Sequence, residues 1–299
     1  MKRKVDLFPY TLVAPAMLIL VLGMVFPIGW TIFNSFTNKE IGTVPVFIGL
    51  KNYVYLLGDE AFLASAINTV TYSLGAVAGK LVIGFTLALL LHGRLFDRRF
   101  VPNKRYLRPA FLLPWTIPGV VAIYIWSSLY TGNGGILNFA LQHLGILQKP
   151  IGWLSTPSIA MLSMILVNIW RGTPFFMINI LAGLQIVPLE LYEAARIDGA
   201  NTAREFSAIT LPAIRGIVIV TALVSLIWTI NDFETPWLLT GGGPGVSTSI
   251  ISIVTWNFAF GLRGMGFLGR ASASAMYTVP VLLLLMIPIV RNLVRAESA

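Results

Sequence analysis

Apolar residues dominate this chain in long blocks, and polar residues gather in the short stretches between them. A membrane-crossing helix needs about 20 mostly apolar residues. Six stretches qualify: Thr11 to Phe33, Ala61 to Leu91, Ala110 to Tyr130, Ser158 to Leu184, Gly216 to Leu239, and Ala271 to Val290. Pro15 and Pro27 are expected to bend the first. The second is longer than a bilayer requires and should tilt or begin as an interfacial helix. The pattern predicts an all-α integral membrane protein with six transmembrane helices. Residues 1–60 carry the first helix and an external loop, residues 61–293 form the core, and residues 294–299 form a short tail.

Basic residues orient the spans, because cytoplasmic loops are enriched in Lys and Arg. One side collects 14: Lys2, Arg3, Lys4, Arg94, Arg98, Arg99, Lys104, Arg105, Arg108, Arg196, Arg204, Arg215, Arg291 and Arg295. The other has 5: Lys39, Lys51, Lys149, Arg263 and Arg270. The first set is expected to face the cytoplasm, which places both termini there. Lys2-Arg3-Lys4 precedes an apolar run too long for the core of a cleaved signal peptide, so the run is expected to be the first anchor.

Composition agrees. The chain is 56% hydrophobic and 11% charged, against roughly 45–50% and 25% in soluble domains, and its mean hydropathy is +0.80. The net charge of +9 does not signal nucleic-acid binding, since the cations sit at span boundaries and form no single stripe. With no cysteine in the chain, disulfides and thiolate metal sites are excluded. His92 and His143 have no metal-ligand spacing around them, and no His, Cys or carboxylate constellation within the spans points to an enzyme.

One polar interruption differs from the others. Between the fourth and fifth apolar stretches, residues 190–212 hold Glu190, Glu193, Arg196, Asp198, Arg204 and Glu205. The apolar residues among them recur at helical spacing, which gives one greasy and one charged face. Gly199 suits a sharp turn between two short helices, and Pro212 can open the next span at little cost.

Glu193-Ala194-Ala195, Gly199, Ile209 and Leu211-Pro212, at these spacings, resemble the EAA loop of the permeases of ABC importers. FIGLKNYVYLL (Phe47 to Leu57) and LTGGGPG (Leu239 to Gly245) are similar to outer segments of the sugar-type members. FIGLKNYVYLL also carries aromatics suited to the membrane interface. The resemblance covers about Phe47 to Arg291 and implies a type I ABC importer permease fold in a bacterial or archaeal plasma membrane. It implies that Glu193, Ala194, Ala195, Asp198, Gly199, Leu211 and Pro212 couple the chain to an ATPase. The partners implied are two ATPase subunits carrying ATP and magnesium, a second related permease subunit, and an extracytoplasmic sugar-binding protein. This chain needs no cofactor of its own on that reading. Gly75 to Leu81 is one residue short of a P-loop, lacks its Ser or Thr, and sits inside a span. Gly75 and Gly79 are better suited to close helix packing.

Ionisable residues inside a span are costly and mark function by default. Lys80, Arg171, Asp232 and Glu234 fall there; Arg171 or Lys80 could pair with Asp232. Gly172 and Pro174 could break the fourth span near its middle. Ser225, Trp228, Thr229 and Asp232 fall at i, i+3, i+4 and i+7, one helix face. Indole and hydroxyl groups on one face suit a sugar, whose ring stacks and whose hydroxyls need partners. Residues 167–177 and 225–233 also look like the sugar-contacting segments of maltose-type permeases. That resemblance implies pocket positions for Asn168, Gly172, Phe175, Ser225, Trp228, Thr229 and Asp232, with Arg171 beside them. Arg171 and Asp232 place charge where the maltose type has none. An importer of an anionic solute such as glycerol 3-phosphate is therefore one alternative, and an ion-coupled secondary transporter is another.

Overall fold

The computed structural model describes residues 8–92, 104–132, 134–261 and 266–297. Of the orienting cations, Lys2, Arg3, Lys4, Arg94, Arg98, Arg99 and Arg263 lie outside the described residues. Helix accounts for nearly all regular structure, and the one β-bridge among the described residues joins Thr37 to Phe47. Among the described residues five helices are long and apolar enough to cross a membrane, or six when one bent pair is taken as a single span.

The chain divides into two compact units. The smaller comprises residues 1–63 and 254–279. Its first span joins α1 (Phe8–Leu20) and α2 (Phe26–Ser35) through a π-helical turn at Val21–Val25. Pro27 explains the turn: it has no N–H for the carbonyl four residues back, Gly23, which lies inside the widened turn. The span runs on from Tyr10 to Ser35 without a break. Next comes α3 (Lys51–Leu57). Asn52, which the sequence placed in an interfacial loop, is buried, and its Nδ2 donates to the carbonyls of Ser35 and Thr37 at 2.9 and 2.7 Å. Tyr53 likewise turns inward, its hydroxyl 2.8 Å from Ser35 Oγ. This unit closes around Leu56, Phe62, Val254 and Ala273, with α14 (Leu268–Met276) packed on α2.

The larger unit, residues 64–253 and 280–299, holds most of the 33-residue α4 (Glu60–His92) and the 30-residue α8 (Pro157–Ile186). Their contact is made by glycine. A Cβ at Gly75, Gly79 or Gly84 of α4 would run into Ile165, Ile169 or Phe176 of α8. Gly75 and Gly79 thus form the packing face their spacing predicted. Pro174 does not break α8, which is continuous throughout; proline is tolerated inside buried membrane helices.

Two expected spans differ. The third is broken: α5 (Lys104–Thr116) and α6 (Gly119–Leu129) meet at 97°. Pro118 causes this, because proline disfavours helical backbone at the residue before it and cannot extend an incoming helix; it stands instead at the N-cap of α6. The fifth ends early. α11 (Leu211–Ile230) stops at Asn231, and the separate α12 (Glu234–Thr240) follows. The core beneath these elements joins Ala88 and Leu91 of α4, Phe176, Met177, Ile180 and Leu184 of α8, and Ile214 of α11.

Candidate functional site

A cavity of about 230 Å³ lies in the larger unit between α4, the α5–α6 break, α8 and α11. All eight residues expected at a pocket line it: Asn168, Arg171, Gly172, Phe175, Ser225, Trp228, Thr229 and Asp232. Lys80, Pro114, Trp115 and Ile117 complete the wall. Pro114 and Trp115 reach it because α5 ends at Thr116, just before the chain turns. No helical periodicity in the sequence announces that.

The wall is divided by chemistry. On the aromatic side, Phe175 lies between Trp228 (ring centroids 4.9 Å apart) and Trp115 (6.2 Å). Trp228 is 56% exposed, so an indole face is available to a ligand. On the polar side a hydrogen-bonded chain crosses three helices. Lys80 Nζ donates to Asn168 Oδ1 and to Thr229 Oγ1, both at 2.9 Å. The Thr229 hydroxyl in turn donates to the Ser225 carbonyl at 2.7 Å. Asn168 Nδ2 lies 2.8 Å from the Tyr72 hydroxyl and 3.0 Å from Asp232 Oδ2. Tyr72 donates to the same carboxylate oxygen at 2.7 Å. Asn168 therefore stands between a cation and an anion, with its carbonyl toward Lys80 and its amide toward Asp232. Tyr72, buried beneath this wall, was missed because an aromatic at helical spacing reads as packing.

Asp232 is not on the helix face predicted for it. It follows the end of α11, and its Oδ1 accepts from the backbone N–H of Thr235, in the first turn of α12, at 3.2 Å. Nor does Arg171 pair with Asp232. Arg171 Nη2 meets Glu234 Oε2 at 2.8 Å and Nη1 donates to Thr235 Oγ1 at 2.9 Å. The cause is the same early stop: the turn after Ile230 swings Asp232 toward Tyr72 and brings Glu234 up to α8. A Cβ at Gly119 would collide with both members of the Arg171–Glu234 pair. The foot of α6 thus packs directly on the ion pair.

The second candidate site is the polar interruption. α9 (Leu189–Ile197) carries Glu193, Ala194 and Ala195 and ends before Gly199, whose φ is +78°. In the left-handed region a Cβ is unfavourable and glycine is not. No atom lies within 4 Å of the place a Cβ would take, so torsion and not crowding selects glycine. Asn201 then caps α10 (Thr202–Glu205), its side chain accepting from Arg204 N at 2.9 Å. The second short helix is not free-standing. It continues through a π-helical turn at Phe206–Thr210 into α11, where Leu211 and Pro212 lie. Pro212 withholds an N–H from Ala208 inside that turn, as Pro27 does from Gly23.

Two contacts brace α9 against this continuous helix. The Tyr192 hydroxyl is 2.9 Å from Thr210 Oγ1 in the core. Arg196 Nε donates to Glu205 Oε1 at 2.7 Å. The Glu205 side chain is only 5% exposed, and its hydrogen bond and charge hold the Arg196 guanidinium above its ordinary value. The opposite face of α9 is open. Glu193, Ala194, Asp198 and Gly199 are exposed, and Ile197 is 87% exposed. An apolar side chain so placed marks a surface suited to a partner.

Residues 80–295 match the family described as "Binding-protein-dependent transport system inner membrane component". The trehalose/maltose transport system permease protein MalF of Thermococcus litoralis is 32% identical over 276 residues, covering 92% of this chain and 89% of that protein. The sulfoquinovosyl glycerol transport system permease protein SmoG of Agrobacterium fabrum is 33% identical over 270 residues, 90% of this chain and 85% of that one. Among solved structures, a chain of a bacterial alginate ABC transporter, in complex with an alginate-bound periplasmic protein, superposes with a TM-score of 0.79. It is 22% identical and covers 94% of this chain and 92% of its own, a likeness of fold. The apolar spans, the broken third helix and the braced polar loop thus belong to a multi-pass chain of the family of inner membrane components of binding-protein-dependent transport systems, the permeases of ABC transporters.

Proposed function

We propose that this chain forms, with a second related permease subunit, the translocation pathway for a neutral mono- or oligosaccharide. An extracytoplasmic binding protein delivers the sugar, and two ATPase subunits drive import. The observation that carries the reading is the cavity, in which an aromatic wall of Trp228, Phe175 and Trp115 faces a polar wall of Asn168, Lys80, Thr229 and Asp232. A sugar presents C–H faces that stack on rings and hydroxyls that both donate and accept. The cations are compensated: Arg171 is held by Glu234 and Lys80 is bridged to Asp232 through Asn168. That balance favours a neutral cargo over an anion. The relatives whose names specify trehalose, maltose or sulfoquinovosyl glycerol support the carbohydrate class.

The exposed face of α9 with the turn that follows it, bearing Glu193, Ala194, Asp198 and Gly199, is the docking element for the ATPase. Its bracing through Tyr192 and Arg196 passes motion to α11, and α11 carries Ser225, Trp228 and Thr229 into the cavity. ATP-driven movement of the loop is thereby coupled to exposure of the pocket, with both termini on the cytoplasmic side.

The test is uptake into proteoliposomes holding the assembled transporter and its binding protein. Radiolabelled maltose, trehalose, sucrose, lactose and glucose are offered in turn. Accumulation of one of them that requires ATP on the loop side and survives a protonophore is the expected result. Uptake of glycerol 3-phosphate alone would overturn the neutral-sugar reading. Uptake that ignores ATP and collapses with the protonophore would overturn the coupling.

A further inference from the structure

Of the two cations in the cavity wall, Arg171 meets a carboxylate directly, whereas Lys80 meets only the neutral groups of Asn168 and Thr229. Lys80 sits inside α4, outside the two segments that the sequence marks as a pocket, and is 4% exposed. Putting an ammonium group there is expensive unless it is used. A tie between helices would need no cation, since a neutral amide could bridge Asn168 and Thr229 equally well. Lysine instead offers three donors. Among the described residues two are taken, by Asn168 Oδ1 and Thr229 Oγ1, and the residue still borders the cavity.

The path by which Lys80 reaches this place is built into the neighbouring helix. A Cβ at Gly172 of α8 would strike Lys80 Cδ, with Cγ and Cε each 3.5 Å from it. The aliphatic stem therefore lies across the bare backbone of Gly172, which sits one turn on from Asn168, the residue that receives the ammonium. Gly172, taken from the sequence alone as a pocket position, acts here as the saddle over which Lys80 passes.

We propose that Lys80 is a cargo-contacting, specificity-determining residue. Its Nζ, steered by Asn168 and Thr229, donates its third N–H to one hydroxyl of the transported saccharide, and Gly172 is the positioning residue that lets it arrive. This rests on the carbohydrate reading of the cavity and adds to it one named hydrogen bond. The Asn168 amide keeps the neighbouring carboxylate of Asp232 close enough to balance the ammonium but off the donor, which leaves that donor for the ligand.

The experiment uses the complete transporter with its binding protein in proteoliposomes. The sugar of the five above that the wild type takes up best is compared with its monodeoxy analogues, each radiolabelled, in wild type, Lys80→Met and Gly172→Ala. Any preference of the separate binding protein is common to all three and cancels in the ratios. For the wild type, removal of one particular hydroxyl should lower uptake efficiency by about tenfold to a hundredfold, the effect of losing a hydrogen bond to a charged group. Lys80→Met should lower uptake of the parent sugar by that factor and abolish discrimination at that hydroxyl alone. Gly172→Ala should do the same although the lysine is retained. If Lys80→Met assembles poorly, Lys80→Gln, which keeps a polar end for Thr229, is read the same way. A variant that loses complex yield or maximal rate while all deoxy penalties persist would show Lys80 to be a structural tie and overturn the proposal. If the wild type takes up none of the five sugars, the carbohydrate reading itself fails, and this inference with it.

Discussion

Arg171 and Glu234 form a 2.8 Å ion pair between α8 and the start of α12, and the backbone of Gly119 rests directly on it. The pair is partly exposed, so its net worth is modest, but removing one partner leaves the other charge without compensation. Arg171→Leu should lower the stability of the assembled complex by about 1–2 kcal/mol, and Arg171→Leu with Glu234→Leu by less. Gly119→Ala should destabilise without altering any charge, because its methyl displaces both side chains. Thermal unfolding of the purified complex checks all three. A double variant no better than the single one would show that the pair is incidental.

Trp228→Ala removes the ring that meets Phe175 at a tilt of 49° and borders the cavity. Because the indole is largely uncovered, little packing is lost, and complex yield should stay near that of the wild type. Uptake of the native sugar should fall at least tenfold, in line with loss of an aromatic platform worth about 1–2 kcal/mol. Yield and uptake falling together would point to packing instead.

The absence of cysteine from the chain makes topology directly testable. In intact cells a membrane-impermeant maleimide should label Val246→Cys, in the loop after α12. Ala299→Cys should react only after permeabilisation. The reverse pattern would mean that the asymmetry of basic residues does not set orientation here.

Gly199 calls for a graded series. Its φ of +78° penalises residues with a Cβ, whereas the space around it is empty within this chain. Left-handed backbone costs an ordinary residue about 1–2 kcal/mol, and Asn or Asp less. Gly199→Val should therefore disturb the loop more than Gly199→Asn, as read by amide hydrogen exchange over residues 189–205. Gly199→Asp should keep the loop's fold and fail at the ATPase surface, so that the binding protein no longer stimulates ATP hydrolysis. Wild-type stimulation and uptake in Gly199→Asp would remove the loop from the coupling path.

What the sequence could and could not disclose follows from how far each signal reaches. The first, second and fourth spans were legible because an apolar run of membrane length is a local property. The glycine face of α4 was legible for the same reason, as was the turn at Gly199. All eight expected pocket residues line one cavity, since segments 167–177 and 225–233 each carry their polar residues close together. The partners of the charges were not legible. Pairing of Arg171 with Glu234 depends on α11 ending at Ile230; Asn231, Asp232, Glu234 and Pro236 signal that end in the sequence, but not which helix the carboxylates beyond it meet. The break before Gly119 could have been found, because a Pro at 118 after one at 114 is a sequence signal. Its consequence, bringing Trp115 to the cavity, could not.

The π-helical turn at Phe206–Thr210 has a rotational meaning. A π turn accommodates one residue more than the α-helical ladder around it, and each residue advances a helix by about 100°. The widened turn therefore absorbs that extra residue and leaves the azimuth of the fifth span, relative to the braced α9–α10 corner, as an unbroken α-helix one residue shorter would have it. Deleting a single residue there, Ala208 for instance, should let the ladder close as ordinary α-helix with Ser225 and Thr229 still turned toward Lys80, whereas deleting one beyond it, Val218 for instance, would swing that edge by about 100°. The polar wall of the cavity is thus buffered against a change of length some twenty positions away.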